Sequence, residues 1–94
     1  MTMYVDEYSN MGLGGNAQAP LTPPVTSQTV APGAASAAFN AATRYVRLHT
    51  DAICSFKFGP PGTTAATTNA RMIAGQTEYF FVVPGNVVAV IANV

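Results

Sequence analysis

The sequence is poor in charge, and its few charges are evenly split between the two signs. Charged residues make up 9% of the chain, against roughly 25% in an average soluble domain. The formal net charge is zero, because four basic residues are matched by four acidic ones: Arg44, Arg47, Lys57 and Arg71 against Asp6, Glu7, Asp51 and Glu78. Nucleic-acid binding needs a basic patch, so we do not expect it here. A weakly charged, 49% apolar chain predicts association with other chains.

Cysteine and histidine each occur once, as Cys54 and His49, and tryptophan is absent. One cysteine cannot form an internal disulfide, so the fold should not depend on oxidising conditions. A cysteine nucleophile and a histidine base would have to share one strand face. Strand alternation instead places Cys54 with Phe56 and Phe58, which predicts a buried, inert thiol. His49 is expected on a surface or an interface.

Metal ligands and paired carboxylates are also too few for a site. A zinc centre takes three or four protein ligands, which one histidine and one cysteine do not supply. Asp51 and Glu78 are expected beside turns and not in a shared cleft, where acid and base catalysis would need them. We therefore expect no metal, no cofactor and no catalytic residue, and we predict that the chain is not an enzyme.

Long hydrophobic runs are missing as well. The longest, residues 87–92, is far shorter than the roughly 20 residues that span a bilayer. The first residues, MTMYVDE, have acidic side chains where an export signal has basic ones. No membrane partner and no export signal are expected.

Residues 1–33 are predicted to form an extended, irregular N-terminal arm. Prolines and glycines punctuate this segment, most densely in GLGGNAQAPLTPP, and neither a helix nor a central strand tolerates that spacing. A short edge strand at residues 28–30 is the exception. Five large side chains are spaced like anchors for pockets on a partner, although packing against their own domain is the alternative: Tyr4, Tyr8, Met11, Leu13 and Leu21.

Residues 34–94 are predicted to form a small β-domain with four main strands, since short runs rich in Val, Ile, Thr, Tyr and Phe alternate with turn residues. The strands are expected at 37–50, 53–58, 71–83 and 87–94, with a break near residues 41–42 or a helix over 34–42 as alternatives for part of the first. The fold class is all-β: an antiparallel sandwich or a partly open barrel, with jelly-roll connections as one form.

Several details of this domain follow from its pattern. Val46 and Leu48 should lie on one buried face of the first strand. The tight connection at Asp51 predicts that the first two strands pair as a hairpin. The third strand is expected to turn or bulge at Ala74-Gly75 and then to be buried on both faces. Arg44 or Arg47 is expected to pair with Glu78 or Asp51 across strands, and Pro60 and Pro61 open a loop over 59–70 that is long enough to indicate a partner contact.

Two stretches resemble small accessory structural proteins of tailed bacteriophages, of the head decoration or cement type. They are FNAATRYVRLHTDAICSFKFG and TNARMIAGQTEYFFVVPGNVVAVI, and together they span about residues 39–91. The resemblance implies a virion protein, assembled in the host cytoplasm, that binds over junctions of the major capsid protein and stabilises the shell. It also implies a homo-oligomer, with a trimer favoured.

Two alternatives stay open at this stage. In the first, the chain serves another part of a virion, such as head closure, a fibre or the tail. In a different class, it is a carbohydrate- or ligand-binding β-sandwich that uses Tyr45, Tyr79 and His49 as a stacking surface.

Overall fold

The computed structural model describes residues 1–9, 11–14, 17–20 and 24–93, and in those ranges it contains nine β-strands and no helix. The strands are β1 Met3–Tyr8, β2 Met11–Gly14, β3 Ala17–Pro20, β4 Thr26–Val30, β5 Tyr45–Thr50, β6 Cys54–Gly59, β7 Ala70–Met72, β8 Thr77–Phe81 and β9 Val87–Ala92. The predicted all-β class is confirmed.

The strands form a four-stranded and a three-stranded antiparallel sheet. The larger has the order β4-β1-β5-β8 and the smaller the order β7-β6-β9. A separate ribbon pairs β2 with β3. The register of the larger sheet places Val5 between Gln28 and Leu48.

One apolar core lies between the two sheets. Strand alternation sends every second side chain inward, and the strongly buried set comes from both sheets: Met3, Val5, Val46 and Leu48 from the larger, Cys54, Phe56, Val88 and Val90 from the smaller. The predicted burial of Val46, Leu48 and Cys54 is confirmed. This arrangement matches a small β-sandwich.

The expectation of an irregular arm over residues 1–33 is corrected at both ends of that segment. β1 is an interior strand of the larger sheet, paired on both edges, with Met3 and Val5 fully buried. β4 continues the same sheet, so the expected boundary at residue 33 does not separate it from the β-domain. The glycines and prolines are concentrated between residues 12 and 24, and they leave the alternation of MYVDEY intact.

The predicted hairpin of the first two main strands is wrong, because β5 and β6 belong to different sheets. The turn at Asp51 carries the chain across the core from one sheet to the other. The predicted third strand divides in the same way, with β7 in the smaller sheet and β8 in the larger. Gly75, whose φ is +82°, lies at that division. Tight turns look alike in sequence whether they join paired strands or cross between sheets.

The segment before β5 is neither the strand nor the helix that residues 37–42 were expected to form. The first main strand begins at Tyr45. Upstream, the backbone N–H groups of Gly33 and Ser36 donate to the carbonyls of Val90 and Val88, each at 2.8 Å, and Ala35 forms a bridge with Ala89. Residues 33–36 therefore cover the outer edge of β9.

Candidate functional site

The outer surface of the four-stranded sheet gathers most of the exposed aromatic side chains of the described chain. We call it the outer aromatic face and define it by the residues that point away from the core on β1, β5 and β8: Tyr4, Asp6, Tyr8, Tyr45, Arg47, His49, Thr77, Tyr79 and Phe81. The antiparallel register arranges them in three rows across the strands.

In each of the first two rows, polar contacts join residues on neighbouring strands. In the first, Tyr4 lies opposite His49, with ring centroids 6.2 Å apart, and His49 Nδ1 is 2.8 Å from Thr77 Oγ1. In the second, Arg47 donates to Asp6, with Nη1 and Oδ2 3.2 Å apart. The expected pairing of an arginine with Glu78 or Asp51 is thus wrong for Arg47, because the interior position of β1 brings Asp6 next to it.

The third row is aromatic. Tyr8 lies opposite Tyr45, which lies opposite Phe81, and the Tyr45 and Phe81 ring centroids are 4.4 Å apart. Phe81 nevertheless remains 75% exposed and Tyr79 45% exposed, and Val83 just beyond β8 is 62% exposed. These side chains form an apolar patch at the β8 border of the outer aromatic face.

The expectation that the third main strand is buried on both faces is therefore wrong. Phe80 packs inward, with its ring centroid 5.4 Å from those of both Phe56 and Phe58. Tyr79 and Phe81 point the other way, and the described chain lays no second layer over them. The apolar residues on the two sides of EYFF therefore form a core face and an uncovered outer face.

Tyr8 is the buried member of the outer aromatic face, with 8% of its surface exposed. Burial raises the pKa of its hydroxyl above the ordinary value of 10.0, and the negative charge of Asp6 and the neighbouring Tyr79 raise it further, while Arg47 opposes them. A buried neutral phenol is favoured because the ionised form would lose its hydration.

Glu7 is a buried acidic residue that sequence reasoning did not single out. It is 1% exposed, and its carboxylate accepts hydrogen bonds from Thr43 Oγ1 and the Asn40 backbone N–H, both at 2.8 Å, and from Gln28 Nε2 at 3.1 Å. Three donors compensate for lost hydration. The carboxylate thus ties β4 and residues 40–43 to β1, which is a structural task. Its place after Met3 and Val5 in the alternation is the signal that could have identified it.

The predicted partner-binding residues are not brought together as one set. Tyr4 is 44% exposed on the outer aromatic face, whereas Tyr8 is buried in it. Pro60 and Pro61 are exposed, but they follow β6 in the other sheet. Met11 and Leu13 lie in β2, whose side chains are outside the described part of the structure, as is Leu21 altogether.

The residues considered for nucleophilic chemistry lie on opposite sides of the sheet. Cys54 is in the core, where its Sγ is 3.6 Å from Thr50 Oγ1, while His49 is on the outer aromatic face. They cannot act as a nucleophile and base pair in this fold. Within the ranges that the structure describes, no group of three or more His, Cys, Asp and Glu residues is placed to hold a metal ion.

A cleft of about 380 Å³ lies on the other side of the molecule, over β9. Small residues of two segments, 33–35 and 62–65, form its walls, and Ala89, Val90 and Ile91 form its floor. No charged side chain lines it, so it offers a ligand few groups that would fix an orientation.

No protein-family model, curated protein or solved structure matches this chain. In the part of the chain that the structure describes, no helix is long and apolar enough to cross a membrane.

Proposed function

We propose that the chain is a non-catalytic structural subunit that binds other proteins of a larger assembly through its outer aromatic face. The observation that supports this most is the exposure of Phe81, at 75%, beside Tyr79 and Val83 on a chain with only eight formally charged residues. Contiguous exposed apolar side chains mark interaction surfaces. Aromatic residues and arginine are also enriched among the residues that dominate binding energy, and Arg47 lies next to Tyr79 in the sheet.

The specific form of the proposal is a decoration or cement protein of a tailed-phage capsid. It rests on the sequence resemblance over residues 39–91, and the sandwich supports it, since jelly-roll and related sandwiches occur in viral capsid and lectin domains. Many copies on one shell multiply weak individual contacts. The outer aromatic face would bind the shell, with the exposed Pro60 and Pro61 as a second contact, and the subunit would act as a homo-oligomer.

The test is recovery of the chain with assembled particles. A tagged copy is expressed in the host cell in which the particles assemble, and the particles are purified on a density gradient. The number of copies per particle is then measured relative to the main shell subunit. The wild type should sediment with particles in a number comparable with the shell subunits. The double variant Tyr79→Ala with Phe81→Ala should be lost at least about tenfold, the equivalent of 1.4 kcal/mol, while Lys57→Ala, at an exposed position of the three-stranded sheet, should be retained.

Other results would change the proposal in definite ways. A few copies per particle would place the chain in a head-closure, fibre or tail position. Absence from every particle fraction, or equal recovery of the double alanine variant, would contradict the proposal.

A carbohydrate- or ligand-binding module is the second candidate. The observation in its favour is that Tyr45, Tyr79 and His49 do share the outer aromatic face, with the Asp6 and Arg47 pair between the aromatic rows. A glycan-array measurement on the purified chain tests it. Saturable binding that is lost in Tyr79→Ala would favour this candidate over a structural subunit.

A further inference from the structure

We infer that β8 is a docking edge for a second copy of this chain, whose own β8 pairs with it antiparallel about a two-fold axis. The inference rests on the proposed function only for the idea of a homo-oligomer. The backbone and side chains of β8 support it, and purified protein alone is enough to test it. The pairing of β8 can therefore be disproved while binding to particles is confirmed, and binding to particles can be disproved while the pairing is confirmed.

The backbone of β8 has one paired side and one open side. Next to β5, the Val82 N–H donates to the Arg44 carbonyl at 3.0 Å, and the Gln76 carbonyl accepts from Thr50 at 3.3 Å. Backbone groups alternate in direction along a strand, so even-numbered residues face β5. The residues that direct N–H and C=O groups outward, with no backbone partner within the described chain, are Thr77, Tyr79 and Phe81.

The other sheet edges differ from β8. Residues 33–36 cover β9. At the other border of the larger sheet, the Gln28 side chain of β4 bonds both backbone groups of Ala37, at 2.8 and 3.4 Å, and the exposed side chains of β4 are small and polar. β7 has three residues with an exposed Arg71 at its centre. Short length, a charged side chain, proline or a covering segment are the usual protections of an edge against pairing. β8 has five residues, no proline and no covering segment within the described chain, and the backbone groups of its one charged residue, Glu78, face β5.

The sequence of β8 favours one register for antiparallel pairing with a second copy. The backbone groups that face outward belong to the odd-numbered residues, so antiparallel pairing of two β8 strands requires odd-numbered residues opposite odd-numbered residues. Centring the axis on Glu78 would oppose two carboxylates. Centring the axis on Tyr79 would leave Phe81 opposite the partner's Thr77 and the Glu78 carboxylate opposite the partner's Phe80. Centring it on Phe80 places Tyr79 opposite the partner's Phe81 twice, on the same side of the sheet, and keeps Glu78 opposite the partner's Val82. Aromatic cross-strand pairs stabilise sheets and like charges destabilise them, so this register is the one that we assign.

The pairing has a geometric consequence. It joins two four-stranded sheets into one eight-stranded sheet and makes the two outer aromatic faces continuous. An isologous two-fold contact uses the same edge on both copies, so it closes at two. The trimer implied by the resemblance cannot form through this edge.

Charge substitutions at positions 79 and 81 test both the edge and its register. Sedimentation equilibrium from about 1 µM to about 1 mM should show a monomer and dimer equilibrium for the wild type. Tyr79→Glu and Phe81→Lys should each raise the dimer dissociation constant at least about tenfold, since each puts a charge opposite an aromatic ring. The double variant should return to within about threefold of the wild type, because opposite charges then face each other across the axis.

Tyr4→Glu is the matched control, since Tyr4 is an exposed aromatic residue on the same face, but in an interior strand. It should leave the dissociation constant unchanged. A monomeric or trimeric wild type, single variants that dimerise normally, or a double variant that is not restored would each overturn the inference.

Amide hydrogen exchange in the wild type keeps the inference testable if a charged variant does not fold. The amides of Tyr79 and Phe81 should exchange slowly at high protein concentration and rapidly at low concentration. Concentration-independent exchange at both amides would overturn the pairing.

Discussion

The two sheets differ in how the chain treats their outer faces. On the three-stranded sheet, Ser55, Val87 and Ala89 point outward and are nevertheless buried. Residues 33–36 bond along β9, and the Thr67 carbonyl accepts from Ser55 Oγ at 3.4 Å and from Asn93 Nδ2 at 3.1 Å. On the four-stranded sheet, Tyr79 and Phe81 point outward and stay exposed.

The difference arises from the positions of the irregular segments, which lie on the three-stranded sheet. Residues 33–36 and 60–69 consist largely of Gly, Ala, Thr and Pro, which approach a sheet closely and cover one face and one edge. The bulkiest apolar side chains on the surface are left without such a cover. We therefore interpret the outer aromatic face as the surface for partners and the covered face as a completed part of the fold.

Removing residues 1–9 should unfold the protein and so abolish both outer faces. β1 is an interior strand of the larger sheet and contributes Met3 and Val5 to the core, so its loss leaves β4 and β5 without a common neighbour. We expect an unfolded chain by circular dichroism and amide NMR. Replacing residues 11–20 by a short Gly/Ser linker is the control and should leave a folded protein, because β2 pairs with β3 in a separate ribbon. A folded chain without residues 1–9 would contradict the central place of β1.

Two alanine substitutions should show that the core face of the larger sheet contributes more to the free energy of unfolding than its outer face does. Leu48→Ala removes a fully buried side chain and should lower the free energy of unfolding by about 3 kcal/mol. Phe81→Ala removes a larger but mostly exposed side chain and should change it by less than about 0.5 kcal/mol. Urea unfolding at low protein concentration measures both. Similar losses in the two variants would mean that Phe81 is packed within the monomer.

Glu7→Ala should destabilise the fold by about 2 kcal/mol, because the buried Thr43 hydroxyl and Asn40 N–H lose their acceptor. Glu78→Ala is the control, since Glu78 is exposed and its carboxylate accepts a hydrogen bond only from the Gln76 side chain among the described contacts. Thermal unfolding compares the two. Equal stability of Glu7→Ala and the wild type would show that the carboxylate contributes nothing net.

Alkaline pH should produce the smallest of these effects, through Tyr8. The folded state holds its pKa above 10.0, so the folded protein binds this proton more tightly than the unfolded chain does. The contribution is fully present below pH 10 and is lost as pH rises through the folded pKa. Urea titrations across that range should show stability falling with pH, and less steeply in Tyr8→Phe. An unchanged slope in Tyr8→Phe would contradict the assigned burial.

Much of the larger sheet could be predicted from alternation within short segments. Val46 and Leu48 were placed correctly on a buried face, and Cys54 in the core, because each depends on its immediate neighbours alone. The pairing of strands depends on distant segments. Nothing local in MYVDEY shows that β1 lies between β4 and β5, so Asp6 could not be foreseen as the partner of Arg47.

The candidate site was predictable in its residue types but not in its arrangement. Tyr45, Tyr79 and His49 were named as one surface, and the register does place them on one face. Phe81 was missed, because an apolar run such as EYFFVV has the same pattern in a strand covered on both sides and in an edge strand. Sheet order decides between these two cases, and sheet order is a property of the whole chain.

Site-specific photo-cross-linking tests the contrast between the two outer faces most directly. The photoreactive residue p-benzoylphenylalanine replaces Phe81 on the outer aromatic face or, in a matched chain, Lys57, which is exposed on the three-stranded sheet. Both chains are irradiated in the native assembly. We expect cross-links to neighbouring subunits from position 81 and few from position 57. Cross-links from position 57 that equal or exceed those from position 81 would contradict this expectation.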